Sequence, residues 1–196
     1  MSARRLLHLV RHGETVGQSS IRFWGSTDVA LSESGRRQVE ALGAAVGALA
    51  VAAVIHSPLV RAAESARVLA PALELAGVPW HVEPDFAEID FGTFEGLTAE
   101  EIGARDPQWF AQWQARRHEG FPGGETLGGF EARVRAGFAR AIERIEGDLL
   151  IVAHRGVIRR IADLVLPGQG EHATELASLS TLTLAPPQVV RWNLRG

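Results

Sequence analysis

The chain has 196 residues, seven histidines, no cysteine and a formal net charge of −3 at pH 7. This length is typical of one domain with a substantial core, and the small net charge gives no general attraction to nucleic acid or to a membrane, so any basic site must be local. Without cysteine there are no disulfides and no thiolate zinc sites, and the apolar run near the N-terminus is too short for a signal peptide or a membrane span, so we expect a cytoplasmic protein.

The first predicted element is a buried strand over residues 4–10, which leads directly into Arg11 and His12. Its consecutive apolar residues are typical of a strand inside a sheet. In open α/β sheets, ligands bind in the crevice at the carboxyl ends of the strands, where these two side chains would lie. The loop that continues to Ala30 has no regular pattern, and such long loops are commonly functional or mobile. It carries three further candidate side chains, Gln18, Arg22 and Trp24.

A helix from Ser32 and a second buried strand over residues 51–56 come next. Ser57 and Pro58 then predict a helix start, with serine as the N-cap and proline in the first turn. Arg61 would lie in that first turn, where the helix dipole disfavours a cation. A phosphate or sulfate bound at the same helix end would remove this conflict.

The second half of the chain contains a third buried strand, residues 148–153, which leads into His154 and Arg155. Residues 84–124 are the least regular, and we predict that they form a partly helical, lid-like insertion over the sheet edge. The other predicted elements are a strand at 80–83, helices from residue 125 and over 156–166, and strands at 179–184 and 189–194. Strands that alternate with helices predict a single α/β domain, a three-layer αβα sandwich with a mostly parallel central sheet.

Three of these strands end beside basic or imidazole side chains. The carboxyl ends of parallel strands meet at one edge of a sheet, so this topology gathers the four side chains Arg11, His12, Arg61 and His154. Each one alone is most simply read as a solvated arginine or a buried histidine. Their shared position favours a pocket for an anion.

Five segments resemble the motifs of the histidine phosphatase superfamily, whose fold is phosphoglycerate mutase-like. Residues 9–15 read LVRHGET and resemble the family signature. The other four segments are residues 57–62, residues 88–92 with 95–96, residues 123–126 and residues 152–159. They follow the order of the family and span nearly the whole chain.

The resemblance implies a metal-independent phosphatase that needs no cofactor and acts on a small phosphorylated metabolite. His12 would attack phosphorus to form a phosphohistidine, and Glu88 would donate a proton to the leaving oxygen. Arg11, Arg61 and His154 would hold the phosphoryl oxygens. Such roles suit phosphoryl transfer, which depends on positioning and on stabilising charge that is spread over the phosphoryl oxygens.

The chain also departs from the family pattern. Gln18 stands where asparagine is common in the phosphate pocket, and Arg155 stands where many members have glycine. Arg155 could bind a second acidic group of the substrate or point to solvent, and Arg22 and Trp24 are further candidate substrate contacts. The chain has no tyrosine, which favours a phosphatase over a mutase, and residues 123–126 resemble those of broad-specificity and α-ribazole phosphatases.

Three alternatives stay open at this point: a 2,3-bisphosphoglycerate-dependent phosphoglycerate mutase, a module that binds phosphorylated ligands without turnover, and a metallohydrolase. A metallohydrolase would bind its metal through His8, His12, His56 and His154, but His8 and His56 lie within or at the end of apolar strands. No histidine pair has ligand spacing on a helix. The sequence leaves a homodimer open.

Overall fold

The computed structural model describes residues 5–169 and 173–196. Its centre is a sheet of six strands: β1 (Leu6–Arg11), β2 (Ala53–His56), β3 (Trp80–Val82), β4 (Leu149–Ala153), β5 (Leu179–Leu184) and β6 (Pro187–Leu194). The strand order is β3-β2-β4-β1-β5-β6. The first four strands pair in parallel, β5 pairs antiparallel with β1, and β6 pairs antiparallel with β5. The predicted mostly parallel sheet is therefore confirmed.

Helices cover both faces of this sheet. They are α1 (Glu33–Val46), α2 (Val60–Leu69), α3 (Ala99–Arg105), α4 (Pro107–Gln114), α5 (Leu127–Arg144) and α6 (Arg155–Val165), with two short 3-10 turns at Pro84–Phe86 and Gly92–Phe94. Alternate residues of the strands point to opposite faces, so Leu9 and Ile151 pack with α5 and α6, whereas Val10 and Val152 pack with α1 and α2. The three-layer αβα sandwich is confirmed.

The start of α2 differs from the sequence-based expectation. The helix begins at Val60 instead of at Pro58, and Ser57 does not cap it. Leu59 has extended backbone angles, and the Ser57 hydroxyl contacts the Leu59 N–H and His154 instead. The cap comes from a distant loop, because Asp28 Oδ1 accepts the Val60 N–H at 2.7 Å. The helix-start prediction at Ser57 and Pro58 was therefore wrong by about half a turn.

Residues 84–124, which we call the insertion segment, contain both 3-10 turns and the short helices α3 and α4. Thr98 and Glu101 form a reciprocal capping box at the start of α3. Aromatic rings hold the segment together, with Trp109 packed on Phe94 and Phe121. The single-domain organisation and the lid role of this segment stay predictions. In the described ranges no helix is both long and apolar enough to span a membrane.

Candidate active site

The carboxyl ends of β1, β2 and β4 lie side by side at one edge of the sheet. Arg11 pairs with Ala153 and His56 pairs with Val152, so the chain leaves all three strands at the same level. The rings of His12 and His154, which follow β1 and β4, have their centroids 5.1 Å apart. The structure thus brings together the side chains that the strand pattern predicted to meet.

His12 is buried, and its ring is oriented by the backbone that follows it. Nδ1 lies 2.7 Å from the carbonyl oxygen of Gly13, so Nδ1 carries the proton and donates it to that oxygen. This arrangement leaves the lone pair of Nε2 available for attack on an electrophile. Burial lowers the pKa of His12 well below its ordinary value, as do the guanidinium groups of Arg61 and then Arg11, against an opposing effect of the Gly13 carbonyl. The ring is therefore neutral at physiological pH, as a nucleophile must be.

The loop that carries His12 is packed tightly against two helices. A Cβ atom at Gly13 would lie 2.5 Å from the carbonyl oxygen of Gly35 in α1, which only glycine avoids. The Gly13 N–H donates to Ser65 Oγ at 3.2 Å, and the Ser65 hydroxyl donates to the carbonyl oxygen of Arg61 at 2.7 Å. These contacts fix His12 relative to α2.

Arg61 is completely buried in the first turn of α2. Its guanidinium donates to three carbonyl oxygens of one loop, those of Thr27 at 3.0 Å, Trp24 at 3.1 Å and Gly25 at 2.7 Å. Its Nε is buried and has no acceptor among the described residues. A buried N–H without a partner is costly, and a phosphoryl oxygen is an acceptor that would satisfy it.

Arg11 supplies a second guanidinium at the same edge. One terminal nitrogen donates to the carbonyl oxygen of Thr174 at 2.7 Å, and its buried Nε also has no acceptor in the part of the chain that the structure describes. Burial lowers the pKa of Arg11 to about 10, and the positive charge of Arg155 adds to this effect. Arg11 stays charged at neutral pH, and Arg155, which is exposed at the start of α6, lies within its electrostatic range.

His154 is completely buried, and Ser57 holds it. Nε2 lies 2.7 Å from Ser57 Oγ, which also accepts the Leu59 N–H at 3.2 Å. We assign the hydroxyl proton to the bond with Nε2, which places the ring proton on Nδ1. Nδ1 is buried without a partner among the described residues and is free to donate to a phosphoryl oxygen. Burial, followed by Arg61, lowers the pKa of His154 well below its ordinary value.

Glu88 is buried at the N-terminus of α6. Oε2 accepts the Gly156 N–H at 3.0 Å, and Oε1 accepts the N–H of the next residue, Ile89, at 3.0 Å. A Cβ atom at Gly156 would lie only 2.3 Å from Oε1, so a larger residue at this position would displace the Glu88 carboxyl group. The carboxyl group is close enough to Arg11 and Arg61 to act on both electrostatically. Glu88 thus lies within electrostatic range of Arg11 and Arg61, and its role as proton donor stays a prediction.

The remaining candidate substrate contacts lie in the long loop. Gln18 is exposed and has a left-handed backbone with φ of 59°. Arg22 donates to the carbonyl oxygen of Gly96 at 2.6 Å and to Glu101 at 2.9 Å, and the indole N–H of Trp24 donates to the carbonyl oxygen of Gly17. These contacts give Arg22 and Trp24 a structural role, and the substrate contacts of Gln18, Arg22 and Trp24 stay predictions.

The four histidines that a metallohydrolase would use do not form one cluster. His8 Nδ1 lies 3.0 Å from Thr181 Oγ1, and His56 Nδ1 lies 2.8 Å from the carbonyl oxygen of Ser57, with its ring against Trp80. Within residues 5–169 and 173–196, no group of three or more metal-binding side chains is arranged to hold an ion.

Two residues beside the site escaped sequence reasoning. The sequence predicts Ser57 as a helix cap and as part of the segment 57–62, but not as the hydrogen-bond partner of His154. Arg133, on α5, donates to the carbonyl oxygens of Asp85, Ala87 and Glu88 at 2.7–3.1 Å and forms a two-bond ion pair with Glu125. No sequence pattern marks Arg133, because its partners lie 45 or more residues away or eight residues along the chain.

Comparison with known proteins agrees with this geometry. Residues 7–194 match the model of the histidine phosphatase superfamily, branch 1. An acid phosphatase of Mycobacterium tuberculosis is 35% identical over 181 residues, which cover 89% of this chain and 84% of that protein. The α-ribazole phosphatase of Shigella flexneri superposes with a TM-score of 0.79 at 24% identity, over 96% of each chain.

Other relatives are longer than this chain or are named as mutases instead of phosphatases. A bifunctional protein of Mycobacterium tuberculosis is 41% identical over 185 residues, which cover 90% of this chain but 49% of that protein. The chain therefore spans about half the length of this relative and of two others of equal identity. Proteins named phosphoglycerate mutases are also similar to it. The chain belongs to the histidine phosphatase superfamily, branch 1.

Proposed function

We propose that this protein hydrolyses the phosphate monoester of a small metabolite through a phosphohistidine on His12. The observation that carries the proposal is the geometry of His12. Its Nδ1 is held by the Gly13 carbonyl oxygen at 2.7 Å, its Nε2 is left free, and burial beside two arginines lowers its pKa. A neutral, oriented imidazole in a cationic pocket is what an attack on phosphorus requires.

The reaction would proceed in two displacements. In the first, His12 Nε2 forms a bond to phosphorus while the bond to the ester oxygen breaks, and Glu88 gives a proton to that oxygen. In the second, the oxygen of a water molecule forms a bond to phosphorus while the bond from phosphorus to His12 Nε2 breaks. Glu88 takes up a proton of that water, and inorganic phosphate leaves. The N–H groups of Arg11, Arg61 and His154 that have no acceptor among the described residues would stabilise the phosphoryl oxygens in both transition states.

Arg155 points to the class of substrate within this proposal. It is exposed, it begins α6 immediately after His154, and its charge acts on Arg11. A second acidic group of the substrate, a carboxylate or a further phosphate, would neutralise this pair of cations. A panel of phosphate esters with and without such a group, compared in the wild-type protein and in Arg155→Ala, measures this preference. Arg155→Ala should lose the preference and keep its activity on esters with one anionic group.

The proposal is tested by trapping the intermediate. Incubation with a labelled phosphate ester followed by quenching should give a phosphoenzyme that is acid-labile and alkali-stable. The label should be absent in His12→Ala and retained in His81→Ala, which changes an exposed histidine of β3. A label on serine or aspartate would overturn the nucleophile assignment, and binding without turnover would support a phospholigand module.

Two further alternatives are separated by activity. Some relatives are named phosphoglycerate mutases. If, in the presence of 2,3-bisphosphoglycerate, the protein isomerises 3-phosphoglycerate faster than it releases phosphate, it is a mutase. Activity that is lost in the presence of a chelator would support the metallohydrolase. The cytoplasmic location and the homodimer belong to the same set of untested predictions.

A further inference from the structure

Arg61 depends on the shape of one irregular loop. The carbonyl oxygens of Trp24, Gly25 and Thr27 accept three N–H bonds from its guanidinium, and we call residues 24–27 the Arg61 cradle. The cradle has no helix or strand of its own that could hold three carbonyl oxygens in one direction. Some other group must therefore order its backbone.

That group is the carboxylate of Glu95. Oε2 accepts the N–H groups of Gly25 at 3.1 Å and Thr27 at 3.3 Å, and Oε1 accepts that of Ser26 at 3.0 Å. The carboxylate thus binds the N–H groups of the cradle while Arg61 binds its carbonyl oxygens. The cradle lies between an anion and a cation that each hold its backbone.

Glu95 also belongs to the segment that carries Glu88. Its Oε1 accepts the Phe91 N–H at 3.0 Å, which brings the bonds from backbone N–H groups to four. An ionised carboxylate has about four acceptor positions, so Glu95 is fully used in this role. A Cβ atom at Gly25 would lie 1.9 Å from the Ile89 carbonyl oxygen, so the cradle and the acid-bearing segment are in close contact.

We propose that Glu95 is a positioning residue that orients Arg61 through the cradle and fixes Arg61 relative to the segment carrying Glu88. Glu95 touches neither substrate nor a reacting atom in this role. The inference rests on the proposed function in one respect, namely that Arg61 binds the phosphoryl group. It goes further because it assigns the orientation of Arg61 to a residue 34 positions away in sequence.

Glu95→Gln is the sharpest variant, because it keeps the size of the side chain and replaces one oxygen by an NH₂ donor. Whichever oxygen is replaced, two of the four N–H groups lose their acceptor and face a donor. Losing such bonds costs about 1–3 kcal/mol, which converts to about 5- to 150-fold in affinity if the cost is felt at Arg61. We expect the dissociation constant of orthovanadate to rise by that factor in Glu95→Gln.

The matched control is Glu101→Gln. Glu101 is an exposed carboxylate of the same insertion segment and pairs with Arg22 instead of with the cradle. Its replacement should leave vanadate affinity within about twofold of the wild type, as is usual for surface ion pairs. Melting temperatures of both variants identify any general loss of stability.

A double-mutant cycle with Arg61→Ala distinguishes positioning from a general structural effect. If Glu95 acts through Arg61, Glu95→Gln should weaken vanadate binding in the wild-type background and have little further effect in Arg61→Ala. Equal effects in both backgrounds, or unchanged affinity in Glu95→Gln, would overturn the inference while leaving the proposed function intact. A wild-type protein that binds no vanadate would overturn the proposed function and this inference together.

Discussion

Ser57 Oγ lies 2.7 Å from Nε2 of His154, so a hydroxyl group that follows β2 holds the imidazole that follows β4. The contact crosses between two adjacent strands of the sheet and involves two completely buried side chains. With the hydroxyl proton assigned to this bond, the ring proton of His154 lies on Nδ1, from which it can be donated to a phosphoryl oxygen.

Replacing Ser57 by alanine should slow the proposed phosphatase reaction without unfolding the protein. The lost bond costs about 1–1.5 kcal/mol, so we expect kcat to fall about tenfold, with a smaller change in KM. Ser180→Ala is the control, because Ser180 is also buried and its hydroxyl accepts a backbone N–H, that of Asn193. Steady-state kinetics of both variants measure the difference, and a wild-type kcat in Ser57→Ala would contradict the assigned role.

The strand ends of the site were predictable because they depend on local pattern. Buried strand runs, each followed directly by a charged or imidazole side chain, identified the edge at which His12 and His154 meet. The cap of α2 could not be found in this way, because Asp28 lies 32 residues from Val60. Glu95 is separated from Gly25 by 70 residues. Contacts over such distances follow from the packing of loops, which no periodicity in the sequence encodes.

The two buried histidines of the site should make stability depend on pH. Burial and the neighbouring guanidinium groups lower the pKa of His12 and His154 well below the ordinary value. Between about pH 6.5 and the folded-state pKa, the unfolded chain therefore binds protons that the folded chain does not. The free energy of unfolding falls as pH decreases through this range, by up to about 1.4 kcal/mol per pH unit for each histidine.

Urea unfolding at pH 7, 6 and 5 measures this dependence. The wild-type protein should lose stability from pH 7 to pH 5, and the loss should be smaller in His12→Gln and in His154→Gln, because each variant removes one of the groups. Above pH 7 neither histidine contributes to the pH dependence, since both are neutral in the folded and unfolded states. A pH dependence that both variants leave as steep as in the wild type would contradict the assignment.

Glu88→Gln tests the proton donor through the choice of leaving group. Loss of a general acid typically costs on the order of 10²–10⁴ in rate, but only where the leaving oxygen needs a proton. We expect severe slowing of the phosphorylation step for alkyl phosphates and much less slowing for p-nitrophenyl phosphate. Rapid-quench measurement of that step separates it from hydrolysis of the phosphoenzyme.

Asp90→Asn is the comparison variant for this experiment. Asp90 lies two residues further on, and its Oδ1 accepts the Gly92 N–H at 2.8 Å, which is the role of a loop-stabilising acceptor. We expect Asp90→Asn to slow the phosphorylation step by the same small factor for alkyl phosphates and for p-nitrophenyl phosphate. A larger effect for Asp90→Asn than for Glu88→Gln on alkyl phosphates would move the proton-donor role to Asp90.

Arg133 should act on the same step as Glu88, although it is a positioning residue. Its guanidinium donates to the carbonyl oxygens of Ala87 at 2.7 Å and of Glu88 itself at 3.1 Å, and Glu125 holds it from the other side. Arg133→Lys keeps the charge but loses the planar fork that makes these simultaneous bonds. The backbone that carries Glu88 would then be less well fixed, whereas the cradle that orients Arg61 would keep its contacts.

We therefore expect Arg133→Lys to reproduce the pattern of Glu88→Gln in weaker form. Phosphorylation by alkyl phosphates should slow about tenfold, which corresponds to about 1.4 kcal/mol in the barrier. The rate of phosphorylation by p-nitrophenyl phosphate and the affinity for vanadate should change little. Arg135→Lys is the matched control on the same helix, because Arg135 is exposed and pairs with Glu131 one turn away. If Arg133→Lys slowed both esters equally, the loss would lie in the phosphoryl pocket and not in the placement of Glu88.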